Sequence, residues 1–203
     1  MRELRPRFVP PSPPKTPKAA GTRRHLLDVA AKQFVDRGYN AVSMRDIARA
    51  AGLTHGAIYG HFRSKGQLLV EVIRWQLADR DHAVGFSEAT SDPARGVDLM
   101  FDTSRRATRL LEVDAAAAAR HDPDVATGLA ELYEERIDHI RDAVSDLREP
   151  DEVAWLITTL SLGIGMKESM GLQLPDGDRL RGLFLAAFNA LGEPTPKESG
   201  VDR

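Results

Sequence analysis

The sequence predicts an all-α protein built from two helical units. Apolar residues recur at helical spacing from residue 22 to residue 191, and no segment alternates apolar and polar residues as a half-buried strand does. Residues that cap helices stand before several of the apolar stripes. The 203 residues are 42% hydrophobic, which is enough for a buried core.

Composition excludes several classes of protein. The chain has no cysteine, so it has no disulfide, no thiolate nucleophile and no cysteine zinc site, as is common in a reducing cytoplasm. No segment approaches the roughly 18 apolar residues of a membrane span. The N-terminus is basic but lacks the apolar run of a secretory signal. We therefore expect a cytoplasmic protein with no membrane partner.

The charge is divided unevenly along the chain. Residues 1–76 hold 14 basic and 5 acidic residues, a net charge of +9, whereas residues 77–203 hold 14 basic and 25 acidic residues, a net charge of −11. Chance segregation is one explanation. The other is that the basic N-terminal third meets a polyanion and the acidic remainder has a different task.

The first 21 residues are predicted to be a disordered basic arm, because they contain six prolines and no apolar pattern. Such an arm either follows DNA phosphates into a minor groove or has no role. The first helix is predicted to begin at Thr22 and to end at Gly38. Its apolar stripe consists of Leu26, Leu27, Ala30, Ala31, Phe34 and Val35.

Three shorter elements follow, each with its own cap. Ser43 and Asp46 form an acidic variant of the capping box, and Gly52 ends that helix. Thr54 caps the next helix. Ser64 and Gln67 form a second capping box before an apolar stripe of Leu68, Leu69, Val72 and Ile73.

Residues 43–62 have the features of a helix-turn-helix. The motif needs a small residue where the two helices meet, here Ala48, and a glycine in the turn, here Gly52. It also needs apolar residues that lock the helices together, and these are Ile47, Ala51, Leu53 and Ile58. The outward face of the second helix carries little bulk, as expected if its packing partner is the major groove of DNA.

Over TRRHLLDVAAKQFVDRGYNAVSMRDIARAAGLTHGAIYGHFRSKGQLL, the chain resembles the DNA-binding domain of the tetracycline-repressor (TetR) family. The resemblance includes the AAG turn, the GAIY–HF recognition helix and the SK that opens the fourth helix. It covers roughly a quarter of the chain, and the remainder is similar to the family only in helical layout and length. The resemblance implies a homodimeric transcriptional regulator, usually a repressor, whose C-terminal domain binds a small molecule.

The candidate DNA contacts lie in and around this motif. Small outward residues permit close approach of the backbone, His55 and Ala57 are placed for base edges, and hydroxyls and cations suit phosphate. The N-terminus of the fourth helix also favours an anion. His61 either contacts phosphate or packs. The full set is Arg45, Thr54, His55, Gly56, Ala57, Tyr59, Gly60, His61 and Lys65.

The C-terminal part is predicted to contain helices over residues 93–112, 124–147, 151–172 and 178–191. The HDPD sequence at 121–124 has residues that bind metals, but it is better explained as a capped helix break. We predict no metal and no cofactor, and because no P-loop, GxSxG or arguable catalytic triad is present, no enzymatic activity.

Two further sets of residues are assigned in this part. Large apolar residues either line an effector pocket or form plain core: Met100, Phe101, Tyr133, Trp155, Met166 and Met170. A dimer interface is predicted from a helix that is apolar on several faces and from the stripe on the last helix: Gly163, Gly165, Leu180, Leu183, Phe184, Ala187, Phe188 and Leu191.

Residues 22–76 are therefore predicted to bind DNA, residues 77–192 to dimerise and sense an effector, and residues 193–203 to form a tail. The predicted function is binding of a palindromic operator as a homodimer, with release by a small molecule. Two alternatives stay open. One is a ligand-independent regulator or an activator of the same fold, and the other is a helical protein-interaction module that does not bind DNA.

Overall fold

The computed structural model describes residues 13–14, 16–84, 98, 100–145, 149–173 and 177–192. In this part of the chain every regular element is a helix, which confirms the predicted all-α class. The predictions for residues 1–12 and for the tail after residue 192 lie outside the described residues.

Helix α1 spans Pro17–Arg37 and begins five residues earlier than predicted. Thr16 is its N-cap and accepts a hydrogen bond from Ala19 N at 3.2 Å, with proline at the first helical position, where a missing N–H costs nothing. The predicted cap at Thr22 is wrong, since this residue lies inside the helix and donates to Lys18 O at 3.1 Å. The predicted end is confirmed, because Gly38 has φ +79.

The next three helices start where their caps predicted. They are α2 (Met44–Ala50), α3 (His55–Tyr59) and α4 (Lys65–Val84). Ser43 and Asp46 make both bonds of the capping box, and Thr54 Oγ1 accepts from Ala57 N at 3.2 Å. Ser64 Oγ accepts from Gln67 N at 3.0 Å, but Gln67 Oε1 accepts from Arg63 N at 2.8 Å, so the second box is shifted by one residue.

Among the described residues of the C-terminal part, residues 98, 100 and 101 are helical, and a 3₁₀ turn and four further helices follow. These are Thr103–Arg105 and then α5 (Arg106–Ala118), α6 (Pro123–Ala143), α7 (Pro150–Ser169) and α8 (Gly177–Gly192). The predicted continuous helix 93–112 is wrong, because it is interrupted at Asp102, whose side chain accepts from Ser104 N at 2.8 Å. The predicted break at 121–124 is confirmed, since Asp122 is the N-cap of α6.

One apolar core joins both parts of the chain. Leu26 and Phe34 of α1 share it with Leu111 of α5 and Val125 of α6, and all four are almost fully buried. Helix α4 contributes from its first turn onward and continues to Val84, so the predicted domain boundary after residue 76 falls inside a helix. The N-terminal helices are therefore packed directly on α5 and α6.

A second core and a buried ion pair hold the far end of the molecule. Met100, Val153 and Ile164 belong to this smaller cluster. Arg109 and Glu168 form two hydrogen bonds of 2.8 and 2.6 Å, and their side chains are only 3% and 10% exposed. Arg109 also donates to Met100 O and Asp102 O, so it fixes the helix break at Asp102 against α7.

None of the described helices is long and apolar enough to cross a membrane. Within the same residues, no group of three or more acidic or histidine side chains is arranged to hold a metal ion.

The contact between α5 and α7 depends on Gly165. A Cβ there would lie 2.9 Å from Arg109 O and 3.0 Å from Arg109 Cβ, so Gly165→Ala must separate the two helices. We expect a loss of about 1–3 kcal/mol in the free energy of unfolding, measured by urea denaturation. Gly21→Ala is the control: it lies in α1 with nothing within 4 Å of its Cβ and should gain roughly 0.5–1 kcal/mol from helix propensity. Equal stability of the two variants would contradict the close packing.

Candidate nucleic-acid interface

The helix-turn-helix is built as predicted. Gly52 adopts φ +69 in the turn, and Leu53 N donates to Ala48 O at 2.8 Å. Ile47, Ala48 and Ile58 are at most 1% exposed, so the two helices are locked through the predicted residues. This packing leaves the opposite face of α3 pointing away from the core.

The outward face of α3 is uncovered. His55, Gly56, Tyr59 and Gly60 are exposed, and a Cβ at Gly56 would have nothing within 4 Å. Gly60 is different, because its Cβ would lie 3.2 Å from Ala57 O, so its small size also serves the end of the helix itself. A face without bulk allows the backbone of the helix to come close to a groove wall.

An open groove beside α3 brings four of the predicted residues together. It is lined by residues 40–45 with His55, Tyr59 and Lys65, so Arg45 is also on its wall. The rings of His55 and Tyr59 meet edge to face with centroids 5.0 Å apart, which orients the exposed Tyr59 hydroxyl. The groove thus presents ring, hydroxyl and cationic groups next to the uncovered face.

Two other predicted residues have partial internal roles. The Thr54 hydroxyl accepts the capping bond from Ala57 N, which leaves its proton free to donate outward. His61 is half-buried beside Phe62, at a ring distance of 6.4 Å, so packing occupies part of its surface. Ala57 is half-buried as well.

Lys65 is held inside the motif to a degree that the sequence did not predict. Its Nζ donates to Tyr39 O at 3.0 Å and to Val42 O at 3.1 Å, and it lies 4.0 Å from the centre of the Tyr39 ring. Burial lowers the pKa of Lys65, and the charge of Asp122 opposes that shift. One N–H of the ammonium group is left for an external anion.

Sequence reasoning missed a group of aspartates that reach the motif from α5 and α6. Asp114 Oδ2 accepts from Tyr39 N at 3.0 Å. Asp124 Oδ2 accepts from Ser64 Oγ at 2.5 Å, and its Oδ1 pairs with Arg63 at 3.1 Å. No local pattern reveals these contacts, because their partners lie 60 to 75 residues away in the chain.

Residues 26–72 match the family model described as bacterial regulatory proteins of the tetR family. Over these residues the chain resembles the tetR family. Among its relatives, the transcriptional repressor KstR2 of Rhodococcus jostii is 43% identical over 72 residues, which are 36% of this chain and 35% of that protein. The transcriptional repressor Rv1474c of Mycobacterium tuberculosis is 31% identical over 112 residues, 55% of this chain and 58% of that protein.

Solved structures share the fold over most of this chain. A structure of a TetR-family regulator from a Rhodococcus species has a TM-score of 0.69 at 20% identity, covering 85% of this chain and 99% of the other. A transcriptional regulator from Saccharomonospora viridis, solved in complex with choline, has a TM-score of 0.66 at 22% identity, covering 84% and 96%. The chain spans about a third of the length of the first curated relatives that it matches. The match to the family model is limited to residues 26–72.

The six residues predicted for the effector pocket lie in different surroundings. Met100 is buried in the second core, and Phe101 packs edge to face on Phe184. Tyr133 packs against the first core, and burial followed by the charge of Glu112 raises its pKa. The other three lie on the surface: Trp155, Met166 and Met170 are 62%, 54% and 61% exposed.

The predicted dimer residues also divide into two groups. Gly165 faces Arg109 inside the protomer, and Phe184 is packed on Phe101, so neither is a free surface residue. Gly163, Leu183 and Ala187 are exposed, and Leu180 is half-buried. Phe188 and Leu191 lie in α8, but their surroundings are outside the described residues.

A substitution at Gly56 tests DNA binding without disturbing the packing of the motif. Because nothing lies within 4 Å of its Cβ, Gly56→Ala should keep or slightly raise the melting temperature. The added methyl group lies on the uncovered face, so we expect affinity for duplex DNA to fall at least about tenfold, measured by fluorescence anisotropy. Gly21→Ala, made the same way in α1, should leave affinity unchanged. Wild-type affinity in the Gly56 variant would mean that α3 does not approach DNA through this face.

Proposed function

We propose that the protein is a transcriptional repressor that binds a palindromic operator as a homodimer and is released by a small molecule. The observation that carries this proposal is the uncovered, low-bulk face of α3 beside the groove that holds Arg45, His55, Tyr59 and Lys65. The match of residues 26–72 to the tetR family model and the names of the relatives support it. A protein with this function acts in the cytoplasm.

The proposed roles of the side chains follow from their positions. Gly56 and His55 lie toward base edges, because they occupy the exposed face of the recognition helix, and the half-buried Ala57 beside them offers its methyl group to a thymine. The hydroxyls of Thr54 and Tyr59 donate to phosphate oxygens. Arg45 and the remaining N–H of Lys65 add cations at the groove, in a segment whose net charge is +9 over residues 1–76.

Dimerisation is supported by apolar side chains that stay exposed within the part of the chain that the structure describes. Trp155 and Met166 on α7 and Leu183 on α8 are each more than half exposed. Apolar surface that is left open on a single chain marks an interaction site. A four-helix bundle of α7 and α8 with their copies would bury it, and Gly163 would permit close approach of the helices.

Release by an effector is supported more indirectly. The regulator from Saccharomonospora viridis, which shares the fold, was solved in complex with choline. A ligand lowers operator affinity if it prefers the conformation of the dimer that does not fit the operator. The loss of binding free energy is at most the difference between the free energies with which the ligand binds the two conformations. The ligand-independent regulator and the interaction module without DNA binding are the alternatives that binding experiments distinguish. Release of bound DNA upon addition of a small molecule would favour the effector-released repressor over both alternatives.

The phosphate contacts predict a strong dependence on salt. The logarithm of affinity for duplex DNA should fall linearly with the logarithm of salt concentration, and Arg45→Ala should reduce the slope by about 1 for each protomer. Arg106→Ala is the control, because Arg106 is exposed at the N-terminal end of α5, whereas Asp114, which contacts the motif, lies toward the C-terminal end of that helix. A slope that is flat, or equally reduced in both variants, would refute the assignment of Arg45. His55→Ala should instead change the preferred base sequence in a selection from random duplexes.

The dimer surface predicts a contrast between adjacent residues of α8. Leu183 is 63% exposed, so Leu183→Glu should leave a folded chain that dissociates into monomers and loses operator binding. Phe184 packs on Phe101, so Phe184→Glu should lower the melting temperature of the chain itself. Sedimentation and circular dichroism on the same samples test both. A wild-type protein that is monomeric at micromolar concentration would refute the dimer.

A further inference from the structure

The carboxylate of Asp122 joins two elements that are far apart in the sequence. Its Oδ1 accepts from Asp124 N at 3.0 Å and from Val125 N at 3.3 Å, which caps the N-terminus of α6. Its Oδ2 accepts from the Tyr39 hydroxyl at 2.9 Å. One oxygen of Asp122 therefore caps α6 in the C-terminal part, and the other oxygen holds the loop between α1 and α2.

Tyr39 also contacts Lys65. Its side chain is buried against the first core, and the Lys65 ammonium lies 4.0 Å from the centre of its ring. Burial, followed by the hydrogen bond to Asp122, raises the pKa of Tyr39, so the phenol keeps its proton and remains a donor. The Tyr39 ring is thus held in one position, and the Lys65 ammonium packs on its face.

Lys65 in turn fixes the backbone of the loop. Its two bonds to Tyr39 O and Val42 O hold residues 39–42 in place immediately before Ser43, the N-cap of α2. Residues 40–45 form a wall of the groove beside the recognition helix. The chain of contacts therefore runs from the start of α6 to the wall of the groove without a gap.

The surrounding contacts leave this junction little freedom. A Cβ on Gly66 would lie 2.8 and 2.9 Å from the two carboxylate oxygens of Asp122, so the first turn of α4 packs directly on the cap of α6. Asp114 accepts from Tyr39 N, and Asp124 accepts from Ser64 Oγ. The position of Tyr39 is thus set by both its backbone and its hydroxyl.

We propose that Asp122 is a positioning residue for DNA binding, which acts through the Tyr39 hydroxyl and Lys65 to set the groove wall beside α3. Asp122 itself does not touch DNA. The inference rests on the proposed DNA-binding function.

Tyr39→Phe is the sharpest test, because it removes the hydroxyl and keeps the ring under Lys65. We expect it to weaken binding to a duplex selected from a random pool by about fivefold to tenfold, with an unchanged salt slope. Asp122→Asn should have a similar effect, since asparagine still caps a helix but leaves one oxygen for two tasks. The double variant should be no weaker than the worse single variant.

Tyr133→Phe is the matched control. Tyr133 lies on α6 near the buried carboxylate of Glu112, so the variant removes a phenol hydroxyl from the same helix at a residue that does not line the groove. It should bind DNA like the wild type. All affinities are expressed per active protein, from stoichiometric titration, with helix content and melting temperature measured on the same samples, so loss of folded protein is not counted as loss of affinity.

Four outcomes would overturn the inference. They are wild-type affinity in Tyr39→Phe, additive losses in the double variant, an equal loss in Tyr133→Phe, and a reduced salt slope, which would mean that a cation has lost its phosphate contact. If the wild-type protein binds no duplex, the proposed function fails instead. The junction is then judged by amide hydrogen exchange at residues 40–43, which should be faster in Tyr39→Phe, and unchanged exchange would refute it.

Discussion

The recognition helix depends on packing against its neighbours. Helix α3 has five residues, far fewer than the roughly 12 that an isolated helix needs to be even marginally stable in water. Ile58 and Phe62, both buried to 1% exposure or less, anchor it to the core that α1 and α4 build. Because α3 is anchored only through its inner face, its outer face makes no packing contacts with the core. A surface that enters a groove of DNA needs such an uncovered face.

The same core extends the constraint to the C-terminal part. Leu111 and Val125 pack with Leu26 and Phe34, so the support of α3 is continuous with α5 and α6. Polar contacts follow the same junction, where Asp114 and Asp124 reach Tyr39 and Ser64. The helix-turn-helix is therefore attached to the C-terminal part by apolar packing and oriented by hydrogen bonds.

Buried charge is concentrated where helices must keep one fixed arrangement. Arg109 with Glu168 and Arg136 with Glu112 are almost fully enclosed and joined by hydrogen bonds of 2.6 to 2.8 Å. Such pairs contribute little net stability, but breaking one leaves an uncompensated buried charge, so they resist alternative packings. The exposed apolar residues of α7, by contrast, have no partner within the described part of the chain's own fold.

The sequence by itself determined the helical class, the helix-turn-helix and most helix ends near the motif. Ser43, Thr54, Gly38 and Gly52 act on atoms within four residues of themselves, so their local pattern was sufficient. Only the tertiary structure decided that Lys65 binds loop carbonyls, that Gly165 and Phe184 serve the protomer, and that Asp122 holds Tyr39. Those roles depend on partners tens of residues distant or on which face of a helix is covered, and periodicity places a residue on a face without saying what lies opposite it.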